Sequence, residues 1–267
     1  MRANHIDAMQ NVAMRRQTLI ALALLTTATA ALADPPDFDR PGAGFATNVL
    51  PAGGFALEQG LPTFTRERQS GLTDDQYTAD SLIRIGLGGP AELQLGGSLW
   101  NRLNERGNGQ RGHVTGHGDS SAGVKLSPSS DGAFSWAALG QVTFANGNDA
   151  FSNGAKEYSL GATGQWTASE TYATTLYANV DRLQGKNTWT LAPTFDFKFA
   201  DHWMAYLETD LIHDADEGNE GLAGGGLALI IGEHMQADAS VLHRVGARGP
   251  VWQAGLGLSV YFGPAPK

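Results

Sequence analysis

The residues best suited to acid–base chemistry lie in two polar segments that combine histidine with carboxylates. They are His113, His117 and Asp119 in the first segment and Asp210, His213 and Asp214 in the second. A histidine held by a carboxylate can serve as a general base, and outer-membrane hydrolases use such groups at the rim or in the wall. No local nucleophile motif accompanies these residues. A rim hydrolase is therefore one interpretation, and a solvated polar rim is the other.

The acidic segment DADEGNE, residues 214–220, has the Asp-x-Asp-x-Gly spacing of a calcium loop. It lacks the remaining ligand positions of an EF-hand and the flanking helices. The glycine-rich segment GLAGGGLAL, residues 221–229, neither leads into a helix nor carries the lysine of a P-loop. We therefore expect no metal, no cofactor and no catalytic residues, and we interpret residues 214–220 as an acidic loop.

Ten charged residues fall on the polar faces of segments in which apolar and polar residues alternate. They are Arg84, Glu92, Lys125, Glu157, Asp181, Asp196, Lys198, Glu208, Asp210 and Asp238. If the apolar faces point outward, these residues line an interior in which acids outnumber bases. Such a lining favours cations over anions. Alternatively, the three bases pair with acids on neighbouring strands and simply fill the interior.

The alternating segments that must position these charges have the pattern of β-strands with one apolar face. In residues 91–103 the apolar face carries Leu93, Leu95, Leu99 and Leu103, and the polar face carries Glu92, Gln94, Ser98 and Arg102. Twelve such segments are predicted, at residues 54–65, 77–87, 91–103, 116–127, 133–146, 155–168, 171–183, 188–199, 202–213, 221–231, 234–244 and 250–262. Segments of about ten residues match tilted strands that cross a bilayer.

The connections between these segments alternate in length. Odd-numbered connections such as RERQSGLTDDQ are mostly longer and polar, whereas even-numbered ones such as GGP are mostly tight. Outer-membrane barrels have short periplasmic turns and longer extracellular loops. We therefore predict an all-β fold, a transmembrane antiparallel up-and-down β-barrel of about 12 strands over residues 54–262. The alternative is a soluble β-sandwich, in which the charged faces would make a poor dry core.

Aromatic residues lie near the ends of the predicted strands: Trp100, Trp136, Trp166, Tyr172, Trp189, Trp203, Trp252 and Phe262. In a membrane barrel they would form the girdles at the two interfaces. We expect the last strand, residues 250–262, to close the barrel by pairing with the first. Many outer-membrane barrels end on an aromatic residue that resembles a signal for the barrel-insertion machinery, whereas here the tail 263–267 follows Phe262.

The N-terminal sequence predicts export. Arg15 and Arg16 precede the apolar stretch 19–25 and the small residues 31–33, which is the order of a cleaved signal peptide. Cleavage after Ala33 would remove residues 1–33 with three bases and one acid, so the net charge of −9 becomes −11. This acidity argues against nucleic acid as a partner. We expect residues 34–53, rich in proline and glycine, to form an N-terminal periplasmic lead or a partial plug.

The segment FDRPGAGFATNVLPAGGFALEQG, residues 38–60, resembles the start of the transporter-like outer-membrane family of the MetA pathway of phenol degradation. The resemblance rests on DRPG at 39–42, LPAG at 50–53 and FALEQG at 55–60. The later segments AELQLGGSLW, GDSSAGVKLS and MQADASV are similar to the recurring hairpin strands of that family. The resemblance implies a β-barrel with a role in the uptake of small, often aromatic or hydrophobic compounds.

These observations predict an outer-membrane pore or transporter for passive passage of small molecules in a Gram-negative bacterium. Its expected partners are the lipid bilayer of the outer membrane, the barrel-insertion machinery and a small-molecule solute. The alternatives are an outer-membrane hydrolase with a rim active site and a non-conducting structural or surface-binding barrel.

A lysine placed at Leu256, near the middle of the last strand, is expected to destabilise the barrel by about 2–4 kcal/mol because its charge would face lipid. The same substitution at Gln253 or Ser259, on the polar face, is expected to be tolerated. Urea unfolding of the protein in lipid vesicles measures both effects. Equal tolerance at the two faces would show that the assigned parity or the membrane location is wrong.

Overall fold

The computed structural model describes residues 37–264 except residues 108, 131 and 217. The predicted signal peptide, residues 1–33, and residues 265–267 of the predicted tail lie outside the described residues. Within the described part of the chain, no helix is long and apolar enough to cross a membrane.

The described residues form antiparallel β-strands and one turn of 3-10 helix, Asp149–Phe151. The strands are β1 (Phe55–Gly60), β2 (Thr63–Gln69), β3 (Leu72–Gly88), β4 (Ala91–Gly107), β5 (Gln110–Gly116), β6 (Ser120–Leu126), β7 (Phe134–Phe144), β8 (Glu157–Thr167), β9 (Tyr172–Leu183), β10 (Lys186–Ala200), β11 (Trp203–Asp214), β12 (Gly218–Ile231), β13 (Met235–Arg244) and β14 (Trp252–Phe262). The predicted all-β fold is confirmed.

The sheet closes on itself because β14 pairs with both β1 and β2. Phe262 lies opposite Phe55 in β1, and Trp252 lies opposite Arg66 in β2. β1 and β2 are therefore two parts of one strand of the barrel wall, interrupted at residues 61–62. Pro62 explains the interruption, since proline has no N–H to donate to the ladder.

A second wall strand is interrupted in the same way. β6 pairs with residues 91–97 of β4, and β5 pairs with residues 101–107 of the same strand. Residues 117–119 separate the two parts. Counting β1 with β2 and β5 with β6 as one wall strand each gives a closed barrel of twelve wall strands, as predicted.

Two of the connections predicted as long loops are strands instead. β3 and β4 contain 17 residues each, and they continue through much of residues 66–76 and 104–115 in hairpins with β2 and β5. Ser70 and Gly71 form the two-residue turn of the first hairpin, with positive φ angles of 52° and 84°. The prediction of loops was wrong because these segments are largely polar on both faces, and a polar segment was interpreted as a loop.

A β-bulge in β4 corrects the predicted parity of this strand. Consecutive residues of β3 lie opposite Ser98 and Trp100, so Leu99 is an extra residue. Leu99 and Trp100 are 73% and 43% exposed on the outer face. Beyond the bulge the faces exchange, so Arg102 points outward and Leu103 inward, opposite to the prediction for both residues.

The outer face carries two levels of aromatic residues. The eight aromatic residues predicted to form girdles are between 39% and 59% exposed. Along β14, Trp252 and Phe262 are separated by about 33 Å at about 3.3 Å per residue, or about 25 Å along the barrel axis at a tilt of about 40°. This matches the apolar band of outer-membrane barrels. We call the ends at Trp252 and Phe262 the upper and lower ends.

The expected tolerance of lysine at Ser259 is corrected by the structure. Ser259 is on the inner face but is fully buried, so a lysine there has no room. Leu256 is 55% exposed on the outer face, and Gln253 is the half-buried inward position near the upper end. Gln253 alone therefore serves as the tolerant control for Leu256.

The bulge can be tested by placing single cysteines in a chain that has none. A fluorophore attached to Leu99→Cys is expected to be quenched by brominated lipid, because residue 99 faces the bilayer. A fluorophore on Leu103→Cys is expected to be protected. Strong quenching at residue 103 would show that β4 runs without the bulge.

Candidate functional site

The lower interior contains a buried arginine held between carboxylates on both neighbouring strands. Arg84 on β3 donates from Nη1 to Glu58 Oε1 at 3.0 Å and from Nε to Glu92 Oε1 at 2.8 Å. A further bond joins Nη2 to Glu92 Oε2 at 3.0 Å. All three side chains are at most 1% exposed. Because an unpaired buried charge is costly, this triad fixes three adjacent strands of the wall to one another.

A lysine on a further wall strand and a carboxylate from outside the wall complete the cluster. Lys125 Nζ on β6 donates to Asp39 Oδ1 at 2.8 Å and lies 3.5 Å from Glu92 Oε1. The same Asp39 oxygen is 3.2 Å from Arg84 Nη1. Asp39 belongs to residues 37–54, which form neither helix nor strand and lead into β1. We call Asp39, Glu58, Arg84, Glu92 and Lys125 the Arg84 cluster.

The segment 37–53, which we call the interior segment, crosses from one side of the barrel to the other. Its hydrogen bonds to the wall join Arg40 Nη2 to Asp238 Oδ1 at 3.1 Å, Ala43 N to Glu208 Oε2 at 3.0 Å, Thr47 Oγ1 to Ser135 Oγ at 2.7 Å and Leu50 N to Glu92 Oε2 at 2.8 Å. These partners lie on β13, β11, β7 and β4. The interior segment is therefore held at points distributed around the wall.

A glycine in the wall allows part of this close approach. The backbone N–H of Gly53 donates to Gly86 O at 3.0 Å, and Gly86 N–H donates to Gly54 O at 2.9 Å. A Cβ atom on Gly86 would collide with the carbonyl oxygens of Leu50 and Pro51. Only glycine at this position lets the interior segment lie directly on β3.

Acidic residues that form no ion pair within the described part of the chain line the opposite side of the interior, on β8 to β11. They are Glu157, Asp181, Asp196, Glu208 and Asp210. Hydroxyl groups donate to three of them, from Ser159 to Asp181, from Thr175 to Asp196 and from Thr194 to Glu208. Among the described residues, Glu208 Oε1 and Asp210 Oδ1 have no hydrogen-bond partner although both side chains are buried. We call these five residues the acid arc.

The pairing registers turn all ten charged residues predicted from the sequence toward the interior. The structure brings Arg84, Glu92 and Lys125 together and joins Asp238 to Arg40. Lys198 stands apart, exposed near the lower end of β10 beside an irregularity in the register. The charged interior thus divides into a neutralised side and an acidic side.

Sequence reasoning missed two members of the Arg84 cluster. Glu58 lies on the polar side of the segment FALEQG, so the parity used for the other strands would have found it. Asp39 lies in a segment with no alternation, and its charge alone gave no sign of a partner 86 residues further along the chain.

The candidate catalytic histidines are not brought together. His113 lies on β5 and His213 on β11, on well-separated strands of the wall, and His213 Nδ1 pairs with Asn219 Oδ1 at 2.7 Å. Asp119 orients no histidine. Desolvation raises the pKa of its carboxyl, but backbone N–H groups, including those of Asn153 and Gly147, bind it and hold the pKa below the usual value. Asp119 therefore orders the neighbouring loop.

The candidate calcium loop is a hairpin turn. Asp214 accepts a hydrogen bond from Thr188 Oγ1 at 2.6 Å, and Asp216 forms an ion pair with Lys186. Within the part of the chain that the structure describes, no group of three or more histidine, aspartate and glutamate side chains is arranged to hold a metal ion.

The wall is closed and antiparallel, its apolar outer face carries bands of aromatic residues, and its interior is charged. These features define a transmembrane β-barrel of the outer membrane of a Gram-negative bacterium. The sequence also matches a family model over residues 38–262. The chain belongs to that family, described as "Putative MetA-pathway of phenol degradation". The matched range begins at Phe38, so it includes the interior segment as well as the wall.

Solved structures of other outer-membrane barrels share the fold. An outer membrane channel from Pseudomonas putida F1 has a TM-score of 0.63 and 14% identity, and the match covers 86% of this chain and 100% of that one. The translocator domain of the autotransporter NalP from Neisseria meningitidis has a TM-score of 0.55, 10% identity and 97% coverage of both chains. The KdgM porin in complex with oligogalacturonate has a TM-score of 0.51 and 10% identity, with 79% and 99% of the two chains covered. No curated protein sequence matches this chain.

Replacing Arg84 with methionine is expected to destabilise the barrel by about 3–5 kcal/mol, because Glu58 and Glu92 remain buried without their shared cation. Glu58→Gln is the matched control. This substitution leaves two acids and two bases in the Arg84 cluster, so their charges balance. A smaller loss of unfolding free energy is therefore expected. Urea unfolding in lipid vesicles measures both variants. Equal losses would show that packing rather than charge holds the cluster together.

Proposed function

We propose that this protein is a passive channel for small molecules across the outer membrane. The observation that carries the proposal is the interior, which contains many charged side chains where a soluble fold would have an apolar core. Among the described residues, the acids of the acid arc form no ion pair, and the buried carboxyl oxygens Glu208 Oε1 and Asp210 Oδ1 have no hydrogen-bond partner. Such groups are costly unless water or a solute reaches them. The similar solved structures are a channel, a porin and a translocator, and the proposal gives the chain no catalytic role.

In this proposal the interior segment, residues 37–53, is a plug that sets the aperture. A barrel of eight strands is filled by its own side chains and one of sixteen leaves an open channel, so twelve wall strands enclose a narrow bore. A chain segment bonded to β4, β7, β11 and β13 obstructs much of such a bore. Passage therefore requires the interior segment to shift while the wall stays closed.

The proposed solutes are small, uncharged aromatic or hydrophobic compounds such as phenols. The acid arc disfavours anions. Aromatic side chains lie inside the barrel, where the rings of Phe45 and Tyr177 meet edge to face with centroids 5.6 Å apart and Tyr206 lies buried on β11. The family description, which names phenol degradation, supports the same class of solute.

Planar-bilayer recording tests the channel and the plug together. The wild-type protein is expected to give cation-selective channel events whose current falls when phenol is added and enters the bore. The variant T47C/S135C replaces two hydroxyl groups that hydrogen-bond at 2.7 Å, so it places two thiols in contact between the interior segment and β7, where oxidation can join them. Its oxidised form is expected to conduct less than its reduced form.

The single variant Ser135→Cys is the control, and its conductance is expected to be insensitive to reductant. A protein that gives no channel events under any of these conditions contradicts the proposed function. Equal conductance of the oxidised and reduced double variant contradicts the plug and leaves the channel in place.

A further inference from the structure

Two hairpins, formed by β2 with β3 and by β4 with β5, extend above the upper aromatic level. Their basic residues lie on the outer face and most of their acidic residues on the inner face. Trp252 points outward, and the register continues its row on the outer face across the neighbouring strands. The residues of this row are Arg66, Asp75, Asn104 and His113. The outward arginines of these strands, which we call the arginine patch, are Arg66, Arg68, Arg102, Arg106 and Arg111. The inward positions of the same hairpins carry Glu67, Asp74 and Glu105.

A single carboxylate organises the patch without neutralising it. Asp75 accepts from Arg66 Nε at 2.6 Å and Nη2 at 3.0 Å, and it also pairs with Arg106. Arg68 and Arg111 form no ion pair with any residue that the structure describes. Five arginines and one aspartate leave four formal positive charges on one face of a chain whose net charge is −9.

The arginines line two adjoining clefts on the outer face. The first has a volume of about 170 Å³ and is lined by Arg66, Arg68, Thr73 and Arg106. The second, of about 320 Å³, adjoins it at Arg106 and is also lined by Arg111, His113 and the acidic residues Asp75 and Glu105. The first cleft is therefore the more basic of the two, and arginine is the side chain best matched to the oxygens of a phosphate because it donates in a planar fork.

The patch lies at the level of lipid headgroups. Phe64 and Tyr77, whose ring centroids are 5.2 Å apart, belong to the upper aromatic level. Arg66 and Asp75 follow them by two residues on the same strands, or about 7 Å at about 3.3 Å per residue. Interfacial aromatic residues sit among headgroups, so the arginines just beyond them face the charged part of the membrane.

We infer that the arginine patch binds the phosphate groups of a lipid in the outer leaflet of the outer membrane. Both termini of the wall lie at the lower end, which is the periplasmic end in barrels of this type, so the patch faces the cell exterior. The principal phosphorylated lipid of that leaflet is lipopolysaccharide. Arg66 and Arg106, oriented by Asp75, hold one phosphate in the first cleft, and Arg68 and Arg111 supply the flexible charges around it.

Titration of the folded full-length protein in detergent with lipopolysaccharide tests the inference, with tryptophan fluorescence as the readout because Trp100 and Trp252 border the patch. The variant R68Q/R111Q removes two arginines outside the network of Asp75. It is expected to bind about 25-fold more weakly, since each arginine near a charged membrane surface contributes about fivefold. The variant K156Q/R182Q removes two positive charges outside the patch, one just before β8 and one on β9, and is expected to bind within about twofold of the wild type.

Two further comparisons make the result decisive. Wild-type protein is expected to bind dephosphorylated lipopolysaccharide far more weakly, and this arm needs no variant to fold. R68K/R111K keeps the charge but loses the planar fork, so it is expected to bind with intermediate affinity. The inference is overturned by equal binding to dephosphorylated lipid, by equal effects of the two glutamine variants, or by competition from inorganic phosphate at similar concentration.

Discussion

The ion pairs of Arg84 with Glu58 and Glu92 are the interactions on which the rest of the barrel depends. They join β1, β3 and β4 beside the place where the wall closes, and Asp39 brings the interior segment into the same cluster with Lys125. Because these charges are removed from water, none can lose its partner cheaply. The same electrostatic arrangement thus holds together the wall strands beside the closure and fixes the position of the interior segment.

The strand pattern made the wall predictable, while the contents of the barrel required the structure. A period of two residues assigns each side chain to a face, so Arg84, Glu92 and Lys125 could be grouped without coordinates. The same periodicity could not show the extra residue at Leu99, because a bulge leaves no compositional mark. Nor could it show that Asp39 meets Lys125, since contacts of a segment without repeating structure depend on the shape of the finished barrel.

On the upper hairpins, which lie outside the bilayer, the two faces of a strand differ in charge rather than in hydrophobicity. Within the bilayer, lipid selects apolar residues for the outer face and leaves the inner face polar. Above Phe64 and Tyr77 both faces are polar, yet the alternation continues as arginine outward and acid inward. The two-residue alternation therefore continues in these strands mainly as a difference in the sign of the charge, with Asp75 as the outward exception, and the polarity of the residues alone did not reveal it.

The interruption at residues 61–62 explains one residue that looks misplaced. Gln59 points toward lipid, where the pattern calls for an apolar side chain, and its Nε2 donates to Gly60 O at 2.8 Å and to Asp80 O at 3.0 Å. Those carbonyl groups flank the gap left by Pro62, so a side-chain amide takes the place of a missing backbone donor. Pro62 and Gln59 are therefore physically coupled: an ordinary residue at 62 would restore a backbone donor and make the amide dispensable, whereas loss of the amide beside Pro62 would expose a bare carbonyl to hydrocarbon.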